Sequence, residues 1–247
     1  MTSIEALSRR GFLKVATIAG SGLVIGCYLP GKKAESKTSS DAAAFQPNVF
    51  VKVESDGTVT LTVSKSDMGQ GVRTSLSMIL ADEMDVDWHK VKVVQAQASD
   101  QYGGQGTGGS SSIRSMWGPL RTAGATARTM LISAAAQTWG CAVEECKSSD
   151  GSVEGPGGKK LGYGELSAKA ATVPVPDRNE IKLKDPSQYD LIGKATKKVD
   201  GKAIVTGKAQ YGLDSRVPGM KFAVIARPDA FGAQITGFDE AGAKAVP

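Results

Sequence analysis

An α+β fold is what three features of this 247-residue sequence predict. Strand-type alternation comes first, a helix-type apolar stripe follows directly, and a second round of both lies beyond a glycine-rich loop.

The elements follow in order. Phe50-Val51-Lys52-Val53 and Val59-Thr60-Leu61-Thr62-Val63 flank Ser55-Asp56-Gly57-Thr58 and predict a hairpin. Leu76, Ile79, Leu80 and Met84 recur at helical spacing and line one face. Val91-Lys92-Val93-Val94 reads as a strand, and Gly103 to Ser112 as a glycine- and serine-rich loop. A long helix is expected from Pro119, a residue suited to a first turn, through Leu120, Ala127, Met130, Leu131 and Ala134 to Trp139. Residues 146–163 predict a second hairpin, turning at Gly151 and again at Gly155-Pro156-Gly157-Gly158, and Glu165 to Ala171 a short helix. Pro174, Pro176 and Pro186 among many charges mark 173–190 as a linker. A second unit then begins at Leu191-Ile192-Gly193-Lys194, with strand-like pieces at Ala203–Val205 and Met220–Ala226 and an incipient helix at Asp239–Ala245. About 57 residues rarely make a stable core alone. The chain therefore reads as the N-terminal portion of something longer, or as a truncated product.

The first 47 residues have a different character. Ser8-Arg9-Arg10-Gly11-Phe12-Leu13-Lys14 sets two guanidinium groups ahead of an apolar run from Val15 to Ile25. That run is shorter than the ~20 residues a bilayer span needs. It fits the h-region of a twin-arginine signal peptide over residues 1–26. The expectation is export from the cytoplasm of a prokaryotic cell, by a pathway that carries folded proteins, to the periplasm or cell envelope. Val24-Ile25-Gly26-Cys27 resembles a lipobox: either Cys27 is cleaved free and carries a lipid, or it is an ordinary signal-peptide cysteine. Residues 27–47, small, polar and charged, read as a flexible tether.

The totals exclude several classes. Net charge is +5; Arg9, Arg10 and Lys14 against Glu5 hold two of those charges in the first 26 residues, leaving +3 for the rest. Spread over the chain, that excess does not argue for nucleic acid. Besides Cys27 there are only Cys141 and Cys146, and His89 is the single histidine. Neither a four-ligand zinc site nor a four-cysteine iron–sulfur cluster can be built from these. Cys141 and Cys146 form either a disulfide or two buried thiols. Any iron–sulfur electron carrier has to sit on another chain.

Two loops carry the candidate chemistry. In Met68-Gly69-Gln70-Gly71 the glycines allow close backbone approach and positive φ. The following helix start offers unpaired N–H donors, and Gln70 is both donor and acceptor. Gly103-Gly104-Gln105-Gly106-Thr107-Gly108-Gly109-Ser110-Ser111-Ser112 can give many short hydrogen bonds to a polar, phosphorylated ligand. Gly104-x-Gly106-x-x-Gly109 mimics a dinucleotide fingerprint but lacks the βαβ setting and the downstream acid. No P-loop string is present, and His89 has no nearby base partner for a triad. Asp82, Glu83, Asp85 and Asp87 at a helix end read as a solvated acidic face.

Three blocks carry a resemblance: MGQGVRTSLSMILADEMDVDWHKVKV, GQGTGGSSSIRSMWGPLRTAGATARTML and IGKATKKVDGKAIVTGKAQYGLDSRVPGM. From about residue 48 to 247 the chain resembles the start of a molybdenum hydroxylase large subunit. The match is to the xanthine dehydrogenase/aldehyde oxidase superfamily, of the isoquinoline 1-oxidoreductase beta-subunit type. The resemblance implies a partial molybdopterin-binding domain over 48–185, then the start of a second α/β, hammerhead-like domain over 190–247. It implies a molybdenum–molybdopterin cofactor, in the plain or the cytosine dinucleotide form. Gly69, Gln70 and Gly71 would lie beside the metal, the Gln70 amide on one of its oxygen ligands. Thr107, Gly108, Gly109, Ser110 and Ser112 would hold the pyranopterin. It also implies hydroxylation of an N-heterocycle or oxidation of an aldehyde, with oxygen from water and electrons passing to a separate 2Fe-2S small subunit. The family's general-base glutamate has no counterpart here and is expected beyond residue 247, so no catalytic residue and no direct metal ligand is assigned, and this fragment alone is expected to be inactive. The competing expectation is a lipid-anchored binding or assembly module that keeps the fold without catalysis.

Overall fold

The computed structural model describes residues 45–225 and 227–245; the signal segment and Cys27 lie outside the described residues. By contacts the chain divides into a unit ending at Lys202 and a second beginning at Ala203.

Four strands make the first sheet: β1 (Phe45–Asn48), β2 (Val51–Val53), β3 (Val59–Val63) and β4 (Val91–Gln95), in that spatial order. β1/β2 and β2/β3 are antiparallel, whereas β3 and β4 run parallel, Val59 opposite Val91 and Val63 opposite Gln95. The expected hairpin forms: Gly57 sits at φ 86 and donates to the Glu54 carbonyl, while Asp56 accepts from the Thr58 N–H. Along β3, Val59, Leu61 and Val63 are buried and Thr60 and Thr62 half-buried, the two-residue period of a strand with one face on the core. The described chain already opens in a strand at Phe45, inside the stretch expected as tether. Pro47 argues against a strand from sequence, but β1 is an edge strand, where a missing N–H is tolerated.

A parallel pair needs a crossover, and here it contains helix α1 (Val72–Met84). Its predicted stripe, Leu76, Ile79, Leu80 and Met84, is buried, but so are Ser77, Asp82 and Glu83, because the sheet and a second helix both pack against it. That second helix, α2, runs from Ser112 to Trp139 and ends on Gly140 at φ 67. It starts seven residues before the expected Pro119, which lies in its interior. Serines 110–112 look like loop because their side chains compete with helix bonds. Here Ser111 immediately precedes the helix and Ser112 opens its first turn: Ser111 N–H donates to Gly108 O and Ser115 Oγ to Ser112 O. The proline costs the bond to the Ser115 carbonyl, a loss a long packed helix absorbs. α2 meets α1 closely at Gly124, where a Cβ would stand 2.7 Å from the Leu80 carbonyl oxygen and 2.9 Å from Glu83 Cβ.

Beyond α2 a meander follows, β5 (Lys147–Ser149), β6 (Ser152–Glu154) and β7 (Lys160–Gly162). Asp150 and Gly151 both take positive φ, 47 and 72, which matches the twist of a two-residue hairpin turn. Helix α3 (Tyr163–Ala170) closes the unit, its Glu165 accepting from the Gly162 N–H at 2.7 Å. Tyr163 is fully buried and donates to the Met84 carbonyl, fastening α3 to the end of α1. Cys141 and Cys146 are free thiols, their Sγ atoms 3.5 Å apart.

A short helix, α4 (Gly201–Val205), lies at the junction, and the second unit contains α5 (Glu240–Lys244). The strands expected at Ala203–Val205 and Met220–Ala226 do not form among the described residues: the first is helical and 220–225 irregular. A strand must exchange N–H and C=O bonds with a neighbour, and the described part of this unit has no other strand to offer them. Leu213, Val224, Phe231 and Phe238 are exposed.

Candidate functional site

Both glycine-bearing loops hang from the same end of the β3–α1–β4 unit. The first runs from Ser64 to Gly71. Gly69 at φ 107 and Gly71 at φ 81 occupy backbone regions that side chains avoid, although a Cβ at either would meet nothing within 4 Å. Conformation, then, is what selects glycine there. Asp67 organises the turn: Oδ1 accepts from the N–H groups of Gly69 at 2.8 Å and Gly71 at 3.3 Å, and Oδ2 from Arg73 N–H at 3.0 Å. Burial by itself raises the Asp67 pKa. The bonds from Arg73, Gly69 and Gly71, with the charge of Lys198, outweigh it and bring the carboxyl below its ordinary value. Gln70 folds back on its own loop, Oε1 accepting from Met68 N–H at 2.5 Å and Nε2 donating to Ser66 O at 3.1 Å. An amide NH₂ carries two donors, so one N–H of Gln70 stays available to a ligand.

The second loop connects a single 3₁₀ turn at Asp100–Tyr102 to α2. Gln105 holds its start, accepting from Ser99 N–H at 2.9 Å and donating to Gln97 O at 3.0 Å. Gly103, Gly109 and Ser110 all take positive φ, 68, 56 and 53. For a serine that conformation costs about 1 kcal/mol, the kind of local strain that clusters at functional sites. Among the described residues, the backbone N–H groups from Gly104 through Ser110 have no protein acceptor. The free N–H groups of the first turn of α2 follow at once. Ser112 is the first residue of α2 and is buried, whereas Gly108, Gly109 and Ser110 are exposed.

The two loops meet at Ser66. Thr107 Oγ1 accepts from Ser66 N–H at 3.0 Å and donates to Ser66 O at 3.3 Å, the oxygen that also receives the Gln70 amide. Beneath them the buried Lys65 ammonium donates to Gly106 O at 3.0 Å and to Gly104 O. Gln70 and Thr107, 37 positions apart, are thus bonded to one peptide group. Sequence reasoning passes over Lys65 and Asp67. The available signal for Asp67 is an aspartate two residues before a glycine ahead of a helix, an Asx-turn pattern. That for Lys65 is a lysine two residues beyond the buried end of a strand.

The acidic helix end is not the solvated face expected. Asp82 and Glu83 are 1% and 0% exposed. Glu83 accepts from Arg121 Nε at 2.6 Å and from the Lys184 N–H at 3.1 Å, with Arg128 Nη1 at 3.5 Å. Asp82 accepts from the N–H groups of Asp190, Leu191 and Ile192, and Lys184 bridges Asp82 and Asp85. Arg121 also stacks over Trp117 and Tyr189, each ring centroid 5.4 Å away. This network binds the 182–192 segment across α1 and α2; it is a clamp rather than a pair of reacting carboxylates. A cavity of about 410 Å³ beside it is lined by Asp85, Asp87, Trp88, His89 and Asp150. None of its lining residues belongs to the two loops. Among the described residues no cluster of His, Cys, Asp or Glu can hold a metal ion.

The fold and the site define an α+β domain that carries a run of unpaired backbone donors on two joined loops. A pterin with a phosphate tail fits that donor set, which offers N–H groups, one amide and glycine approaches but no side-chain metal ligands. The molybdopterin cofactor-binding domain family matches residues 6–212, and the chain belongs to that family. It is 32% identical to a membrane-bound aldehyde dehydrogenase [pyrroloquinoline-quinone] of Gluconacetobacter polyoxogenes, over 98% of this chain and 32% of that protein. It is also 32% identical to the isoquinoline 1-oxidoreductase beta chain of Brevundimonas diminuta, over 98% of this chain and 36% of that one. A nicotinate dehydrogenase component of Pseudomonas putida is 33% identical over 73% of this chain and 15% of that one. The chain spans about a third of the length of the first two relatives. Among solved structures, quinoline 2-oxidoreductase of Pseudomonas putida 86 matches with a TM-score of 0.42 and 25% identity, covering 52% of this chain and 17% of that one. The family match and the relatives bear out the resemblance carried by the three motif blocks, and the cofactor of the family is molybdenum–molybdopterin.

Proposed function

We propose that these residues form the cofactor-binding opening segment of a molybdenum-dependent oxidoreductase. Gly69, Gln70 and Gly71 face the metal end of the cofactor. Thr107, Gly108, Gly109, Ser110 and Ser112 take its pyranopterin and phosphate. The observation that supports this reading is the shared bonding of Gln70 and Thr107 to Ser66, which joins the two donor loops into one surface. When bound, the cofactor supplies two-electron oxidation of an aldehyde or N-heterocycle carbon, with water as the oxygen source. The chain's own part is to bind and orient: amide donors neutralise phosphate oxygens, and the spare N–H of Gln70 is offered to an oxygen on the metal.

In this reading the electrons leave through a separate 2Fe-2S subunit; the three cysteines of this segment are too few to build a cluster within it. Turnover belongs to a longer chain that also carries the general-base glutamate. The twin-arginine motif addresses the folded, loaded protein to the periplasm, with Cys27 as its lipid attachment point.

Molybdenum and pterin analysis of protein purified from a cofactor-producing host tests this. Wild type is expected to carry both, with occupancy about tenfold lower in Thr107→Ala, the weight of one or two lost hydrogen bonds. A stable, metal-free wild type that engages a partner protein instead points to the non-catalytic module.

A further inference from the structure

Lys65 is only 6% exposed, and its ammonium is engaged by two backbone carbonyls, those of Gly104 and Gly106. Among the described residues it makes no ion pair. A buried cation without a counterion is costly, so its retention needs a reason beyond filling space. The geometry of the peptide group supplies one. In a trans peptide the C=O and the following N–H lie in one plane and point in opposite directions. A carbonyl of Gly104 turned down to Lys65 turns the Gln105 N–H up, and a carbonyl of Gly106 turned down turns the Thr107 N–H up. Neither N–H has an acceptor among the described residues. The charge also polarises both peptides and strengthens them as donors.

We propose that Lys65 is a positioning residue that orients the Gln105 and Thr107 amides toward the anionic ligand of the glycine loop and sets a positive charge beneath it. Without it, two glycine-flanked peptide planes are free to rotate, and the pair of donors is lost together with the field behind them. This rests on the reading of that loop as the pterin-phosphate site. It adds a residue on the far side of the loop that no ligand contact would reveal.

The test uses the ¹³C,¹⁵N-labelled 247-residue protein, with inorganic pyrophosphate as the anionic probe. In wild type, backbone order parameters at Gln105 and Thr107 are expected near the rigid value of about 0.85, falling below about 0.6 in Lys65→Met. Lys65→Arg, which keeps donors and charge, is expected to restore them, while amides in the middle of α2 stay unchanged in both. Pyrophosphate is expected to shift the same two amides, with Kd raised about tenfold in Lys65→Met and recovered in Lys65→Arg. Should Lys65→Met not fold, wild type alone decides: a slowly exchanging Lys65 ammonium with scalar coupling to the Gly104 and Gly106 carbonyl carbons supports the pin, and its absence overturns it. Rigid amides and an unchanged Kd in Lys65→Met overturn the proposal. Loss of order in Lys65→Met with no pyrophosphate binding by wild type upholds the pin and overturns the ligand reading beneath it.

Discussion

Glu83, on α1, is fully buried and accepts the Nε–H of Arg121, on α2, at 2.6 Å. The second carboxylate oxygen faces Arg128 at 3.5 Å, and both arginines reach on to the carbonyls of Lys182 and Lys184. One carboxylate therefore sets the register of two helices and a returning segment.

Removing it isolates two largely buried guanidinium groups, because Arg121 and Arg128 are only 13% and 12% exposed. Glu83→Ala is expected to cost about 3–5 kcal/mol, the range for breaking a buried pair by deleting one partner. Glu83→Gln, which keeps an acceptor, should cost less. Urea midpoints at constant slope measure both. A loss under about 1 kcal/mol for Glu83→Ala means that solvent, not Glu83, compensates the arginines.

Asp67 gives the site a pH dependence. Its folded pKa lies below the ordinary aspartate value, so its bonds to Gly69, Gly71 and Arg73 contribute fully above the unfolded pKa of about 3.9. The contribution is lost as pH falls through the lower folded value. The acid-induced movement of the Gly69, Gly71 and Arg73 amide resonances should therefore have its midpoint below the ordinary aspartate value of about 3.9. In Asp67→Asn they should be displaced at every pH. A midpoint at or above about 3.9 in wild type means that the carboxylate does not hold the turn.

How much of this is legible in sequence depends on the range of the partner. The β2–β3 hairpin and the α1 stripe can be read because alternation and helical spacing are local. The two loops can be found because glycine marks positive φ, as at Gly69, Gly71 and Gly109. What joins them cannot: Lys65 looks like an ordinary charge until the loop 39 and 41 residues on folds over it. The buried acids mislead for the same reason. Asp82 and Glu83 look solvated when their partners, Arg121 at 38 residues and Lys184 at 102, are out of view. Pro47 and Pro119 mislead in the opposite way, since an edge strand and a long packed helix each absorb one missing N–H.

Cys146 carries the second pH effect. Burial, then the adjoining Cys141 thiol, pushes its pKa up to about 11. An acid with a raised folded pKa contributes its stability below the unfolded value of about 8.5, and loses that contribution as pH climbs toward 11. Alkylation of Cys146 should therefore be slow at about pH 8 and rise about tenfold per pH unit toward 11, following the thiolate fraction. Fast labelling at neutral pH means an open, ionised thiol.

Asp82 holds the returning segment by its backbone, accepting the N–H groups of Asp190, Leu191 and Ile192 at 3.2, 3.0 and 2.8 Å. Lys184 adds an ion pair at 3.3 Å. Hydrogen bonds to a charged group are worth about 1.5–3 kcal/mol each, so Asp82→Ala should open this segment at least tenfold more often. Trypsin reads that opening directly, because Lys182, Lys184 and Lys194 all lie within or beside it. Local release predicts early cuts at those lysines while Arg121 and Arg128, inside α2, remain intact. Cleavage at the arginines on the same timescale means that Asp82 supports the whole core. Unchanged cleavage everywhere means that the aromatic stack of Arg121 on Trp117 and Tyr189 suffices to hold the segment.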